Sequence, residues 1–268
     1  MPSINSFDKT KIYYEHSKKG KETLIFIHGW GHNHTVWNKE TNFFSSKYST
    51  LTLDIRGHGE SGKPEEISSY KLENFARDIE EIIKKNKIKQ PILIGHSLGG
   101  MITLKFIEIF PKTAKAIILI DTTHKNPLEG RYSQTTSKLT EKVIEFIFKH
   151  KHIQKKHFKN VDFSKFKKHS DIYYWLKGLE VTPTKSLLAC LKEMLEFDET
   201  KILHKIKIPT LIIWGDKDTI IPLNQIKEMN KDIKESKLVI IKKGTHDTNI
   251  TNSEKINEEI NYFLNNLK

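Results

Sequence analysis

A chain of 268 residues has room for one large domain and a sizeable core. Hydrophobic residues make up 37% and charged residues 29%, the balance of a globular protein, and no apolar run approaches the roughly 18 residues of a membrane span. The net charge of +12 comes from lysines scattered along most of the chain, without a nucleic-acid recognition motif, so a solvated basic surface is expected and not a nucleic-acid partner.

One cysteine, Cys190, excludes an internal disulfide and is read as a small buried hydrophobe. The N-terminus lacks a basic stretch followed by an apolar core, so no signal peptide is read and a cytoplasmic location is expected.

Taken in chain order, Lys11 to His16 reads as an edge strand. Glu22 to His28 (ETLIFIH) is a continuous apolar run of the kind a buried parallel strand shows. Val36 to Tyr48 reads as helical, and Ser49 to Asp54 is the next strand, running into the glycine-rich turn 55–62. Tyr70 to Lys87 places Leu72, Phe75, Ile79, Ile82 and Ile83 at helical spacing. Pro91 to Ile94 reads as strand, the residues from Leu98 onward as helix, and Ala116 to Asp121 as another buried strand.

The alternation then stops. From about Thr122 to Thr200 there is no strong strand signal; Lys138 to Lys149 and Ser186 to Glu196 read as helices, with Ser170 to Leu179 a third candidate. Strand and helix patterns resume with Ile208 to Gly215, Leu223 to Asp232, Lys237 to Lys242 and Ser253 to Leu267. Strands separated by helices predict a doubly wound, mostly parallel sheet. The predicted core is 1–121 with 201–268, and 122–200 is a helical cap insertion.

The chemistry centres on Gly95-His96-Ser97-Leu98-Gly99. A serine between two glycines at a strand-to-helix turn is pushed out at a sharp, strained tip, with the helix N-terminus behind it. A serine hydroxyl is a weak nucleophile and needs a base and a group that orients the base. In a parallel sheet these partners come from loops at the carboxyl ends of strands. His246 (KKGTH) follows the last strand. Asp218, in Gly215-Asp-Lys-Asp218, follows the preceding one; Asp216 competes with it, and Asp121 is a third carboxylate at a strand end. The backbone N–H of Leu98 is placed to donate to an oxyanion.

The segments HGWG at 28–31, DIRGHGES at 54–61, GHSLGG at 95–100, PTLIIWGDKDTIIP at 209–222 and KKGTH at 242–246 resemble the α/β-hydrolase family, in its group of cap-bearing serine esterases. The resemblance implies a catalytic triad of Ser97, Asp218 and His246, with Asp218 selected over Asp216 by its distance from Gly215 and Pro222. It implies that the N–H of Trp30 is the second oxyanion donor, beside that of Leu98. It also implies that Asp54, Arg56 and His58 brace the sheet edge, and that His28, His58 and His96 serve structural hydrogen bonds. The stretch HGWGHNHTVW resembles the carboxylesterases that cleave pimeloyl methyl esters, which typically carry tryptophan where His96 stands.

These readings predict hydrolysis of a carboxylic ester, with lactonase, thioesterase or aminopeptidase action on the same triad as alternatives and a ligand-binding receptor as another class. The expected partner is a small-molecule acyl substrate. No cofactor and no metal site is expected: His150, His152 and His157 are spaced too poorly to share a helix face. Lys149 to His169 holds eight lysines and four histidines against Asp162 alone. It is read as a solvated cap surface, with a landing patch for an acidic carrier protein as the sharper alternative. Phe158, Phe163, Phe166, Tyr173, Tyr174 and Trp175 are expected to pack the cap or line an acyl pocket. Asp198 is expected to cap a short helix.

Overall fold

The computed structural model describes residues 2–129, 161–165 and 171–267. Among them, one sheet contains β1 (Ser3–Asn5), β2 (Lys11–Ser17), β3 (Thr23–Ile27), β4 (Ser49–Leu53), β5 (Ile92–His96), β6 (Ala116–Ile120), β7 (Thr210–Gly215) and β8 (Ser236–Ile241). Their spatial order is β1-β2-β4-β3-β5-β6-β7-β8. The pairings β1–β2 and β2–β4 are antiparallel, and every pairing from β4 to β8 is parallel. Lys11 to His16 is therefore not the edge strand expected from the sequence. Ser3–Asn5 pairs with Lys11–Tyr13 and takes the edge; three residues are too few to show a strand period.

The apolar runs are buried on both faces because helices cover both. Leu24 and Phe26 point to one core with Trp37, Phe44, Ile256 and Ile260, while Ile25 and Ile27 point to the other with Phe75, Ile79, Ile102 and Phe106. This two-residue alternation is the pleat expressed in packing. The first core is covered by α1 (Asn38–Phe44) and, late in the chain, α8 (Thr248–Thr251) and α9 (Ser253–Asn265). The second is covered by α2 (Leu72–Asn86), α3 (Leu98–Ile109) and, through Ile226 and Met229, α7 (Leu223–Asp232). The apolar stripe of α2 is buried as its spacing predicts. That helix stops at Lys87, whose left-handed backbone (φ 54°) lets its N–H reach the carbonyls of Ile83 and Lys84.

Between β6 and β7 the described residues include α4 (Asp171–Val181), α5 (Thr184–Glu196) and the short α6 (Thr200–Leu203), and the bridge Lys125–Asp198 is the strand-like pairing there. The helix expected over 138–149 lies outside the described residues, as do most of the basic stretch 149–169, Phe158, Phe166 and the Trp175 side chain. Phe163 and Tyr174 are buried. Asp198 Oδ1 accepts from Thr200 N (2.9 Å) at the start of α6. Cys190 is fully buried. Among the described residues, no helix is long and apolar enough to cross a membrane.

The turn after β4 is braced by buried charge. Asp54 accepts from the backbone N–H of His34 (2.7 Å) and Glu60 (2.7 Å) and from His34 Nδ1 (2.8 Å). Arg56 forks onto Asp78 (2.8 and 2.6 Å) and also donates to Asp8 and to the carbonyl of Ser69. Helix α2, the turn just before it and the N-terminal hairpin are thereby fixed to one guanidinium. Breaking one partner of such a pair leaves a buried charge behind. Asp78→Ala is therefore expected to lower the unfolding free energy by about 3 kcal/mol, read by urea denaturation; a loss below about 1 kcal/mol would show that the pair adds little.

Candidate active site

The parallel strands deliver their carboxyl ends to one edge, and chain order reverses between β3 and β5. Loops leaving neighbouring strands in opposite directions open a crevice there. Gly29, after β3, and Ser97, after β5, meet at that point. A Cβ built on Gly29 would lie 3.2 Å from Ser97 Cβ and 2.8 Å from His96 Nδ1, so the loop approaches this closely only as glycine.

Ser97 stands at φ 50° and ψ −118°, a strained backbone for a residue with a side chain. The strain is held from several directions. Ser97 N–H donates to Ile120 O (3.0 Å), and Ser97 O accepts from Thr122 Oγ1 (2.7 Å) and Gly100 N (2.9 Å). A Cβ on Gly99 would sit 2.1 Å from Ile27 O, so α3 packs backbone-to-backbone under the crevice.

The structure brings Ser97, His246 and Asp218 into one series. His246 Nε2 lies 2.9 Å from Ser97 Oγ, and its Nδ1 lies 2.9 Å from Asp218 Oδ2. Asp218 is fully buried at its side chain. Its Oδ1 accepts from the N–H groups of Ile220 (2.7 Å) and Ile221 (3.0 Å), which fix the carboxylate plane. Burial alone would keep His246 neutral, but the carboxylate of Asp218, with Asp247 and Asp121 further off, outweighs it and raises the imidazole above its ordinary range. A hydroxyl, an imidazole and a carboxylate so joined can pass the serine proton to nitrogen and hold the resulting charge.

The two competing carboxylates have other partners. Asp216 Oδ1 accepts from Lys243 N (2.6 Å) and so ties the turn after β7 to the loop after β8. Asp121 accepts from Gly215 N (2.9 Å) and from the N–H and hydroxyl of Thr248. Burial first, and then the charge of Asp218, pushes the pKa of its carboxyl well above the carboxylate range, so it favours the protonated form.

The histidines around the triad are neutral, held far below the ordinary imidazole range by burial: His28 at about 4, His58 and His96 at about 3. Their tautomers follow from their partners. His28 Nε2 accepts from Ile55 N (3.1 Å), so its Nδ1–H donates to Gly29 O (2.8 Å). His58 Nε2 accepts from Gly31 N (3.1 Å), so its Nδ1–H donates to Arg56 O (3.2 Å). His96 donates from Nε2 to the carbonyl of His246 (2.8 Å) and so holds the main chain of that residue.

A cavity of about 410 Å³ opens over Ser97. Met101, Leu128, Leu191, Met194, Ile220 and Ile221 make most of its wall apolar, and Trp30 lines it with its indole N–H donated to Leu187 O (2.8 Å). His32 and Asp247 also line it, which the sequence reading missed. Together with His96 they offer one ligand atom each within 4.8 Å of one another. No spacing signal could have found them, since they lie 64 and 151 residues apart. The histidine pairs weighed from the sequence, at 150, 152 and 157, lie outside the described residues.

The sequence profile of the alpha/beta hydrolase fold matches residues 22–253, and the chain belongs to that family. It is 30% identical over 254 residues to a pimeloyl-[acyl-carrier protein] methyl ester esterase of Wigglesworthia glossinidia brevipalpis, covering 91% of this chain and 94% of that one. The structure superposes on a thermophilic esterase from Thermogutta terrifontis with a TM-score of 0.80 at 20% identity, over 99% of this chain and 98% of the other. It matches a bromoperoxidase from Bacillus anthracis with a TM-score of 0.78 at 24% identity, over 99% and 100%.

The packing under Ser97 gives a direct test of what sets the site. Gly99→Ala is expected to force α3 away from β3, with a stability loss of about 2 kcal/mol or more by thermal or urea unfolding. A variant as stable as the parent would show that the close contact is dispensable.

Proposed function

We propose that the protein hydrolyses a carboxylic ester of an apolar acyl group through an acyl-enzyme on Ser97. The observation that carries this reading is the continuous series from Ser97 Oγ through His246 to Asp218 beneath an apolar cavity. The similarity to an enzyme named as a methyl ester esterase supports the ester as the bond cleaved.

In this mechanism Ser97 Oγ attacks the ester carbonyl as its proton passes to His246 Nε2. Asp218 holds Nδ1–H, fixes the tautomer and stabilises the imidazolium. Negative charge on the tetrahedral intermediate is met by the N–H of Leu98, at the start of α3, and by that of Trp30, on the loop Gly29 brings against Ser97. Collapse expels the alcohol, which takes the proton from His246. A water then attacks the acyl carbon as His246 removes its proton, and collapse returns the proton to Ser97 and releases the carboxylic acid.

The apolar wall fits the acyl chain, while the polar groups gather at the end where the bond breaks. An acidic carrier protein docking on the basic stretch 149–169 belongs to the same reading, as the source of the acyl group.

Ser97→Ala is expected to lower turnover of a short p-nitrophenyl ester by roughly 10⁶-fold. Asp218→Asn, which allows the wrong imidazole tautomer, should lower kcat by about 10⁴-fold with KM little changed. Both variants should keep the parent's circular dichroism and melting curve. Steady-state rates on matched esters, thioesters and lactones identify the bond. Parent-level turnover in Ser97→Ala, or faster turnover of thioesters or lactones than of esters, would overturn the proposal as stated.

A further inference from the structure

We propose that His32, His96 and Asp247 form a site for a divalent transition-metal ion of the zinc class in the wall of the active-site cavity, and that filling it suppresses turnover at Ser97. The second half rests on the serine-hydrolase reading above; the first does not.

His32 and Asp247 come from the loops after β3 and β8 and His96 from the end of β5, so the strand ends that assemble the triad also assemble this group beside it. His32 Nε2 lies 3.6 Å from Asp247 Oδ1, and His96 Nε2 lies 3.9 Å from the same oxygen. Ligand atoms around a tetrahedral zinc ion, at bonds of about 2.0–2.1 Å, are separated by roughly 3.3 Å; the three ligand atoms here lie within 4.8 Å of one another, so the two imidazoles and the carboxylate must draw together by up to roughly 1.5 Å to close on an ion. The two imidazoles stack with their centroids 5.8 Å apart and 19° between their planes. The carbonyl of His246, 2.8 Å from His96 Nε2, is within reach as a fourth donor.

The chemistry of the donors fits. Two imidazoles and a carboxylate suit zinc, nickel or cobalt better than magnesium or calcium, which prefer all-oxygen shells. All three side chains are nine-tenths or more buried, and all three line the cavity, so an ion has an entry path. Burial, and then the neighbouring histidines, keep His32 uncharged, leaving a ring lone pair for a cation. Its Nδ1 is buried without a hydrogen-bond partner, so the protein itself makes little use of this imidazole. Its ring is set by packing against Phe163 (5.0 Å, edge to face).

Occupation would act on the base through its main chain. His96 now donates Nε2–H to the His246 carbonyl. Ligation through Nε2 requires the other tautomer, with the proton on Nδ1, and no net proton is released. That change removes the hydrogen bond that holds His246 from behind, and it draws the carbonyl of His246 toward the ion. Nε2 of His246 then leaves its 2.9 Å contact with Ser97 Oγ.

The test titrates zinc chloride into the untagged full chain, stripped of metal, with binding read by calorimetry and the ligand shell by zinc K-edge absorption fine structure. The parent is expected to bind one ion with imidazole and oxygen ligands. His32→Gln and Asp247→Asn should each weaken that binding by about tenfold or more, while His246→Gln should keep it. Ester turnover of the parent should fall over the same zinc concentrations and recover on chelation. Melting curves establish that the variants fold, and the ligand shell of the parent reports on the site whether or not they do.

An absence of binding, or equal binding by the parent and both ligand variants, would overturn the site and assign any zinc to other histidines. Loss of binding in His246→Gln would place the ion on the triad instead. Zinc bound at the three residues with turnover undiminished would overturn the suppression alone. If the zinc-free protein cleaves no ester at all, the hydrolase reading fails while the binding results still stand.

Discussion

Everything at the crevice depends on how closely α3 comes to β3. The backbone of Gly99 lies where any side chain would strike the carbonyl of Ile27, and this contact sets the height of Ser97 above the sheet. The left-handed backbone at Ser97 is costly by roughly 1–3 kcal/mol. It persists because β6, through the carbonyl of Ile120, and Thr122 hold it in place. Hydrophobic burial along β3, β5 and β6 thus supports a local conformation that no isolated turn would keep. Ser97 stands half-buried at the crevice because the core below it is close-packed.

A second constraint is charge without water. Asp54, Arg56, Asp78 and Asp218 have buried side chains, and each is surrounded by donors or a countercharge supplied by a different part of the chain. These groups do not drive folding, since desolvation offsets most of their attraction. Their geometry is directional, however, and it fixes loops that apolar contacts alone would leave free to slide. Asp218 shows the principle at the scale of one residue. Two backbone N–H groups hold one of its oxygens, so the other can face only His246.

Much of this was legible in the sequence because the signals are local. Runs such as Thr23–Ile27 and Ala116–Ile120 declare buried parallel strands, and Ser97, Asp218 and His246 each stand just beyond such a run. The edge was misread at Lys11 because β1 is held by backbone pairing, which three residues of sequence do not reveal. The group of His32, His96 and Asp247 was invisible for a different reason. Its members share no element, and only the convergence of three strand ends makes them neighbours. The helices of 122–200 were read where a stripe repeats, as at α5, but the stripe does not say which way a helix faces the crevice.

The loop after β3 is fastened to the segment between β6 and β7 at several points. Trp30 donates to the carbonyl of Leu187, Asn33 donates to that of Val161, and Gly31 lies against Gly178 so closely that a Cβ there would sit 3.1 Å from its Cα. In the proposed mechanism, admission of substrate and alignment of the Trp30 N–H are therefore mechanically linked. Any movement of α5 that widens the cavity pulls on Trp30, so a molecule too bulky to let that helix settle back would meet a misaligned donor. Size selection would then be felt in the rate of bond cleavage as well as in binding.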